Sequence, residues 1–131
     1  MIDFQVIDLN DFYKLNDKEQ EKYIERIKKE IEKSDNEIVK KMHNIVKRNV
    51  KNYITDFYLH DLYIIKKYKS PFLWMTRSSG TDLIPLKNLD KNLIVWYHCT
   101  KKINKNFYYY NGKTLRKISM EEMEKLISKY Q

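Results

Sequence analysis

The sequence predicts an α+β fold: N-terminal helices packed on a four- to five-stranded antiparallel meander, with a C-terminal helix. Three observations carry this. Residues 17–68 contain no Gly or Pro and repeat their apolar positions with helical spacing. At Ser70-Pro71 the texture changes to short aromatic and aliphatic runs separated by turn residues. Ser119-Met120-Glu121-Glu122 then has the form of a capping box and opens a last helical pattern. A chain of 131 residues with 42% hydrophobic content is expected to form a single domain. Its expected parts are a mainly helical region (1–69), an antiparallel sheet (70–118) and a closing helix (119–131).

Residues 2–8 alternate imperfectly and read as a short strand or an extended lead-in. Asn10 to Leu15 suits a helical turn. Asn16 or Asp17 can cap the next helix, with Glu19 three residues after Asn16 in a box-like position. From Asp17 to Lys33 the apolar residues Tyr23, Ile24, Ile27 and Ile31 fall within an arc of roughly 100°, so the helix buries one narrow stripe. Ser34-Asp35-Asn36-Glu37 is a second start signal, with Ser34 as the expected cap. The run from residue 35 to 68 is sharply two-faced at first. Val39, Met42, Val46 and Val50 lie opposite Lys40, Lys41, Lys47, Arg48 and Lys51, whose fan spans roughly 120°. Beyond Phe57 apolar residues occur nearly all round. Either one long helix dives into the core, or a break near Thr55–Asp56 separates two.

Phe72 to Arg77 is strand-like, Ser78-Ser79-Gly80 is turn chemistry, and Thr81 to Ile84 returns toward Pro85. Leu93 to Thr100 is continuously apolar at its start and is expected to be a central strand. Phe107 to Tyr110, Asn111-Gly112 and Lys113 to Ile118 form a hairpin pattern, since Asn-Gly suits the positive φ angles of a type I′ turn.

Charge is carried in blocks. Residues 38–117 hold 17 Lys/Arg against 4 Asp/Glu, while the acids concentrate at the two ends of a chain of net charge +8. The absence of Ala, with 22 Lys, is also what an AT-rich genome writes, so lysine abundance alone has a mutational explanation. Segregation of the acids does not follow from that bias. It points to a surface for a polyanion such as nucleic acid. No apolar run is long enough to span a membrane, and the N-terminus lacks a basic region followed by an apolar one. The single cysteine, Cys99, rules out an internal disulfide and a multi-cysteine zinc site. The expected setting is the cytoplasm, with no membrane partner, no cofactor and no metal.

Several residues stand out as contacts. Lys40, Lys47, Arg48 and Lys51 can track a phosphate backbone, or simply form the wet face of an amphipathic helix. Lys101, Lys102, Lys105 and Arg116 flank Tyr108 and Tyr110, an arrangement that suits cations on phosphates and rings under bases; tyrosine is equally an ordinary strand former. Trp74 and Trp96 lie in the same basic block, and His98 shares a face with Trp96. Arg77-Ser78-Ser79-Gly80-Thr81 has the makings of a small anion-binding turn. His98 and Cys99 point to opposite faces of a strand and cannot form a dyad.

Pro71-Phe72-Leu73-Trp74-Met75-Thr76-Arg77-Ser78-Ser79-Gly80-Thr81-Asp82-Leu83 resembles a pattern in small uncharacterised proteins of phages and mobile elements of low-GC bacteria. The resemblance covers about a tenth of the chain and implies an accessory role, such as that of anti-CRISPR inhibitors. The leading expectation is therefore a non-enzymatic protein that binds nucleic acid or a nuclease–nucleic-acid complex, possible targets including a CRISPR effector. A small metal-dependent nuclease or modifying enzyme built on Arg77, Asp82 and His98, and a structural or regulatory oligomer, are the alternatives.

Overall fold

The computed structural model describes residues 2–51, 53–89 and 105–130. Its α+β architecture places a four-stranded antiparallel sheet between two helical layers. The expected strand Leu93 to Thr100 lies outside the described residues.

An extended lead-in runs to Asp8, which caps α1 (Leu9–Tyr13) by accepting from Asp11 N at 2.8 Å. The lead-in is held by side chains of later helices. Tyr23 Oη accepts from Ile7 N (2.9 Å), while Arg26 Nη2 and Lys66 Nζ donate to the carbonyls of Gln5 (2.8 Å) and Phe4 (2.6 Å). Helix α2 (Asp17–Lys33) opens with the reciprocal box expected from its sequence. Asn16 Oδ1 accepts from Glu19 N at 2.9 Å, and Glu19 Oε1 accepts from Asn16 N at 3.2 Å. Its narrow stripe, Tyr23, Ile24, Ile27 and Ile31, is the face it buries.

Helix α3 (Glu37–Asn49) starts later than expected. Asn36 is the cap, accepting from Ile38 N and Val39 N at 3.1 Å each. Ser34 instead accepts from Asn36 N, folding the connection so that the Asn36 carboxamide reaches the helix end. The run from 35 to 68 is two helices. Val50 leaves α3 with extended dihedrals, and a second helix begins at Ile54. The break therefore falls a few residues before Thr55–Asp56. This second helix is π-wound over Ile54–Asp61 and becomes α4 over Leu62–Tyr68. π segments are rare, and they interrupt the ordinary ladder to aim side chains that a 3.6-residue period would misplace. Here the segment buries Phe57, Tyr58, Leu59 and Asp61 together. Lys69, at φ 49°, ends α4 in the left-handed conformation.

Strands β1 (Phe72–Arg77) and β2 (Gly80–Pro85) pair from Phe72 with Pro85 to Arg77 with Gly80. Strands β3 (Asn106–Tyr110) and β4 (Leu115–Ile118) form a second hairpin. The order is β2-β1-β3-β4. A meander would have left β1 at an edge, paired to β2 alone; instead β1 is an inner strand, paired to both β2 and β3. Its burial explains the choice, because Phe72 to Thr76 are all buried and only an inner strand covered on both faces hides such a run. One sheet face, with Phe72, Trp74, Leu83 and Tyr110, packs on the N-terminal helices. The other, with Leu73, Met75, Ile84, Phe107 and Ile118, packs on Met123 and Ile127 of α5 (Met120–Tyr130). Ser119 caps α5, accepting from Glu122 N at 3.2 Å.

The β3–β4 connection also differs from expectation. Tyr110 pairs with Leu115, leaving a four-residue loop in place of a two-residue type I′ turn. Only Gly112 takes a positive φ there (102°), while Asn111 Oδ1 accepts from Lys113 N (2.8 Å) and Thr114 N (2.9 Å). The carboxamide supplies the turn's hydrogen bonds itself, so Asn111 has no need of the left-handed region.

Candidate functional site

The outer face of α3 is the first feature to consider. Burying Val39, Met42, His43 and Val46 forces the remaining faces of the helix outward. Lys41, Lys47, Arg48 and, just past the helix, Lys51 are exposed, and Lys40 is half-buried. Together with the β3–β4 loop, this face forms an open groove of about 600 Å³ lined by three bases, Lys40, Lys41 and Arg48, against one acid, Glu37, with Ile38, Ile45 and Leu115 among its apolar walls. Lys41 Nζ crosses to the carbonyl of Leu115 at 2.7 Å and fixes the helix against the hairpin. Lys40 lies 4.0 Å from Glu37, a long pair across one turn. Among the described residues no carboxylate lies within ion-pair distance of Lys47, Arg48 or Lys51. The backbone N–H of Lys51 donates to Ser78 O at 2.9 Å, which pins the end of this basic face beside the β1–β2 turn.

The β1–β2 turn does not offer itself to an external anion. Thr81 N donates to Asp56 Oδ2 at 3.2 Å, and a Cβ on Gly80 would fall on that same oxygen. The chain's own Asp56 occupies the position expected for a bound anion. Asp61, fully buried, lies beneath. Its Oδ2 accepts from Trp74 Nε1 at 2.9 Å and from Thr81 Oγ1 at 2.7 Å, and its Oδ1 lies 2.9 Å from His60 Nδ1. That hydrogen bond raises the His60 pKa above the usual histidine value, against the opposing effect of burial. Asp82 is pushed up to about 6, first by burial and then by the neighbouring Asp61. Burial also raises Asp56, and Arg77 lowers both Asp56 and Asp82 slightly. The π winding brings Asp56 and Asp61 together against β2, a juxtaposition that five-residue spacing on a regular helix disfavours. Among the described residues, no group of three His, Cys, Asp or Glu is placed to hold a metal ion.

The remaining expected contacts divide. Trp74 is fully buried, with its indole N–H committed to Asp61, so it is not a contact surface. Tyr108 packs on Trp74 at 5.3 Å between ring centroids, and Tyr110 is buried against Phe72 at 4.9 Å with its hydroxyl on Gly112 O (2.9 Å). Both rings face the helical layer because even-numbered β3 positions share the face of Trp74, so they offer no platform for bases. Arg116 pairs with Glu122 at 2.9 Å and lies over Tyr109, tying β4 to α5. Arg77 and Lys105 lie at one end of the sheet; burial and Arg77 lower the Lys105 pKa. Trp96, His98, Lys101 and Lys102 lie outside the described residues.

Sequence reasoning missed the network that joins Asp61 to His60, Trp74 and Thr81. One signal was available: a carboxylate inside the stretch from Phe57 to Ile65, where no wet face exists, must be paired with donors.

Comparison with protein-family models, with curated proteins and with solved structures finds no significant match to this chain.

Proposed function

We propose that this protein binds nucleic acid, alone or within a nucleoprotein, through the outer face of α3 and the adjoining β3–β4 loop. The observation that carries the reading is the basic groove, in which Lys40, Lys41 and Arg48 face the hairpin while Lys47 and Lys51 extend the same charge along the helix. Lys47, Arg48 and Lys51, with no carboxylate partner among the described residues, stay available to phosphate oxygens and release counterions when they bind. Of the rings that would have stacked on bases, Trp74 and Tyr110 are buried and Tyr108 is half-buried against Trp74, so contacts on the α3 face are to the backbone and carry little sequence information. A preference for single strands is therefore not expected. In a phage or mobile-element protein, which the Phe72-to-Leu83 pattern resembles, the same face would let the chain sit on the exposed nucleic acid of a defence nuclease, as an anti-CRISPR-type inhibitor.

The test is fluorescence anisotropy with labelled duplex and single-stranded DNA and RNA across a salt series. Log affinity should fall linearly with log salt, with a slope of about 0.9 per phosphate engaged on duplex DNA. The triple charge reversal Lys47→Glu, Arg48→Glu, Lys51→Glu should lower affinity more than about tenfold and flatten that slope, with an unchanged melting temperature because all three side chains are exposed. Wild-type affinity in the triple variant would refute the assignment.

A further inference from the structure

A second groove lies where α1, α2 and the π segment meet, and it shares no residue with the basic one. It is open, has a volume of about 540 Å³, and has Ile24 and Leu59 among its lining. Three large hydrophobic side chains are exposed among the described residues, and two of them, Tyr13 (59%) and Ile54 (40%), line this groove. Exposed apolar side chains gathered in a polar-rimmed concavity mark a contact surface, whereas scattered ones do not. Gln20 builds the wall by donating through Nε2 to the carbonyls of Phe12 (3.3 Å) and Leu15 (3.2 Å), which fixes the end of α1 on α2.

The rim has the opposite sign to the chain's net charge. Asp17, Glu21 and Glu25 border it with only Lys28 against them, and Lys28 is spent on Glu25 at 3.6 Å. The groove lining thus carries net −2 (three acids, one base) on a chain of +8. We infer that this groove docks a partner protein's amphipathic segment, one whose apolar side chains seat between Tyr13 and Ile54 and whose flanking Lys or Arg meet Asp17 and Glu21. Apolar contact supplies the affinity, and the acidic rim selects the partner by charge. The basic block of residues 38–117 repels basic peptides, which favours this rim over the α3 face. The inference does not depend on nucleic-acid binding by α3.

The experiment titrates the full chain into a labelled Leu–Lys amphipathic helical peptide and into its Leu–Glu counterpart, reading anisotropy, with sedimentation velocity of the protein alone. The Leu–Lys peptide should bind at least about tenfold more tightly than the Leu–Glu one. Tyr13→Ala and Ile54→Ser should each weaken it about tenfold, and Glu21→Lys should weaken it while leaving the Leu–Glu peptide no worse. All three variants should keep the wild-type melting temperature and duplex-DNA affinity. Equal binding of the two peptides, or unchanged binding in the variants, overturns the proposal. So does self-association of the wild type that Ile54→Ser abolishes, since the occupant is then a second copy. Loss of DNA binding in the α3 charge reversal, with peptide binding intact, separates the two surfaces.

Discussion

Asp61 ties the π segment to the sheet, and its removal has a cost that can be worked from its partners. The side chain is fully buried and accepts from Trp74 Nε1 and Thr81 Oγ1, with His60 Nδ1 on its other oxygen. Asp61→Ala leaves the indole N–H and the threonine hydroxyl buried without an acceptor, at about 1–3 kcal/mol each. It also removes the charge that His60 leans on. The expected total is about 3–5 kcal/mol, a large share of a stability of about 5–15 kcal/mol. Asp61→Asn should cost far less, about 1 kcal/mol, because a carboxamide oxygen can still serve Trp74 and Thr81 while its amide faces a neutral His60. Thr81→Val removes one donor, so the double variant Asp61→Ala/Thr81→Val should be less destabilised than the sum of the singles by about 1–2 kcal/mol. Urea denaturation followed by circular dichroism and Trp fluorescence gives all four values. Strict additivity, or an Asp61→Ala cost below about 1 kcal/mol, would refute the reasoning.

Two further outcomes follow from buried polar groups. His43, 4% exposed and 2.6 Å from Tyr58 Oη, is held down to about 4, chiefly by burial and secondarily by Lys47. The unfolded chain therefore binds a proton that the native one refuses between about pH 6.5 and 4, so His43 costs about 3 kcal/mol as pH falls through that window. His43→Gln should remove this slope. Asp82, raised to about 6, acts in the opposite sense between about 6 and 3.8, so the difference between wild-type and variant stabilities at each pH is the quantity to measure. Gly80→Ala should destabilise by about 1–3 kcal/mol by displacing Asp56 from Thr81 N, and adding Asp56→Ala should recover part of the loss in the same denaturation assay.

How much of this was legible depends on the range of the forces involved. The boundaries of α2 and α5, and the two-faced character of α3, could be read directly, because capping and amphipathicity act within a few residues. So could the extended character of β1, from its bulky and aromatic side chains. The break between α3 and the π segment lacked a Gly or Pro to announce it. Local signals misled at two turns. Ser34 yielded the cap to Asn36, and Asn111 closed a four-residue loop through its side chain.

Contact surfaces were less legible than the elements themselves. By itself, the sequence determined where α2 and α5 begin, which stripes turn inward and that Lys47 and Arg48 stay wet, since each follows from local spacing. Only tertiary structure decided that Trp74 and Tyr110 are core, that Asp56 fills the β1–β2 turn, and that Asp61, Trp74 and Thr81 form one network. Those outcomes depend on strand order and on the π winding, which bring together residues as far apart in the chain as Asp56 and Thr81 or Phe72 and Tyr110. Hydrogen bonds across such separations leave no periodic trace in the chain, because burial sets their energy and burial belongs to the assembled fold.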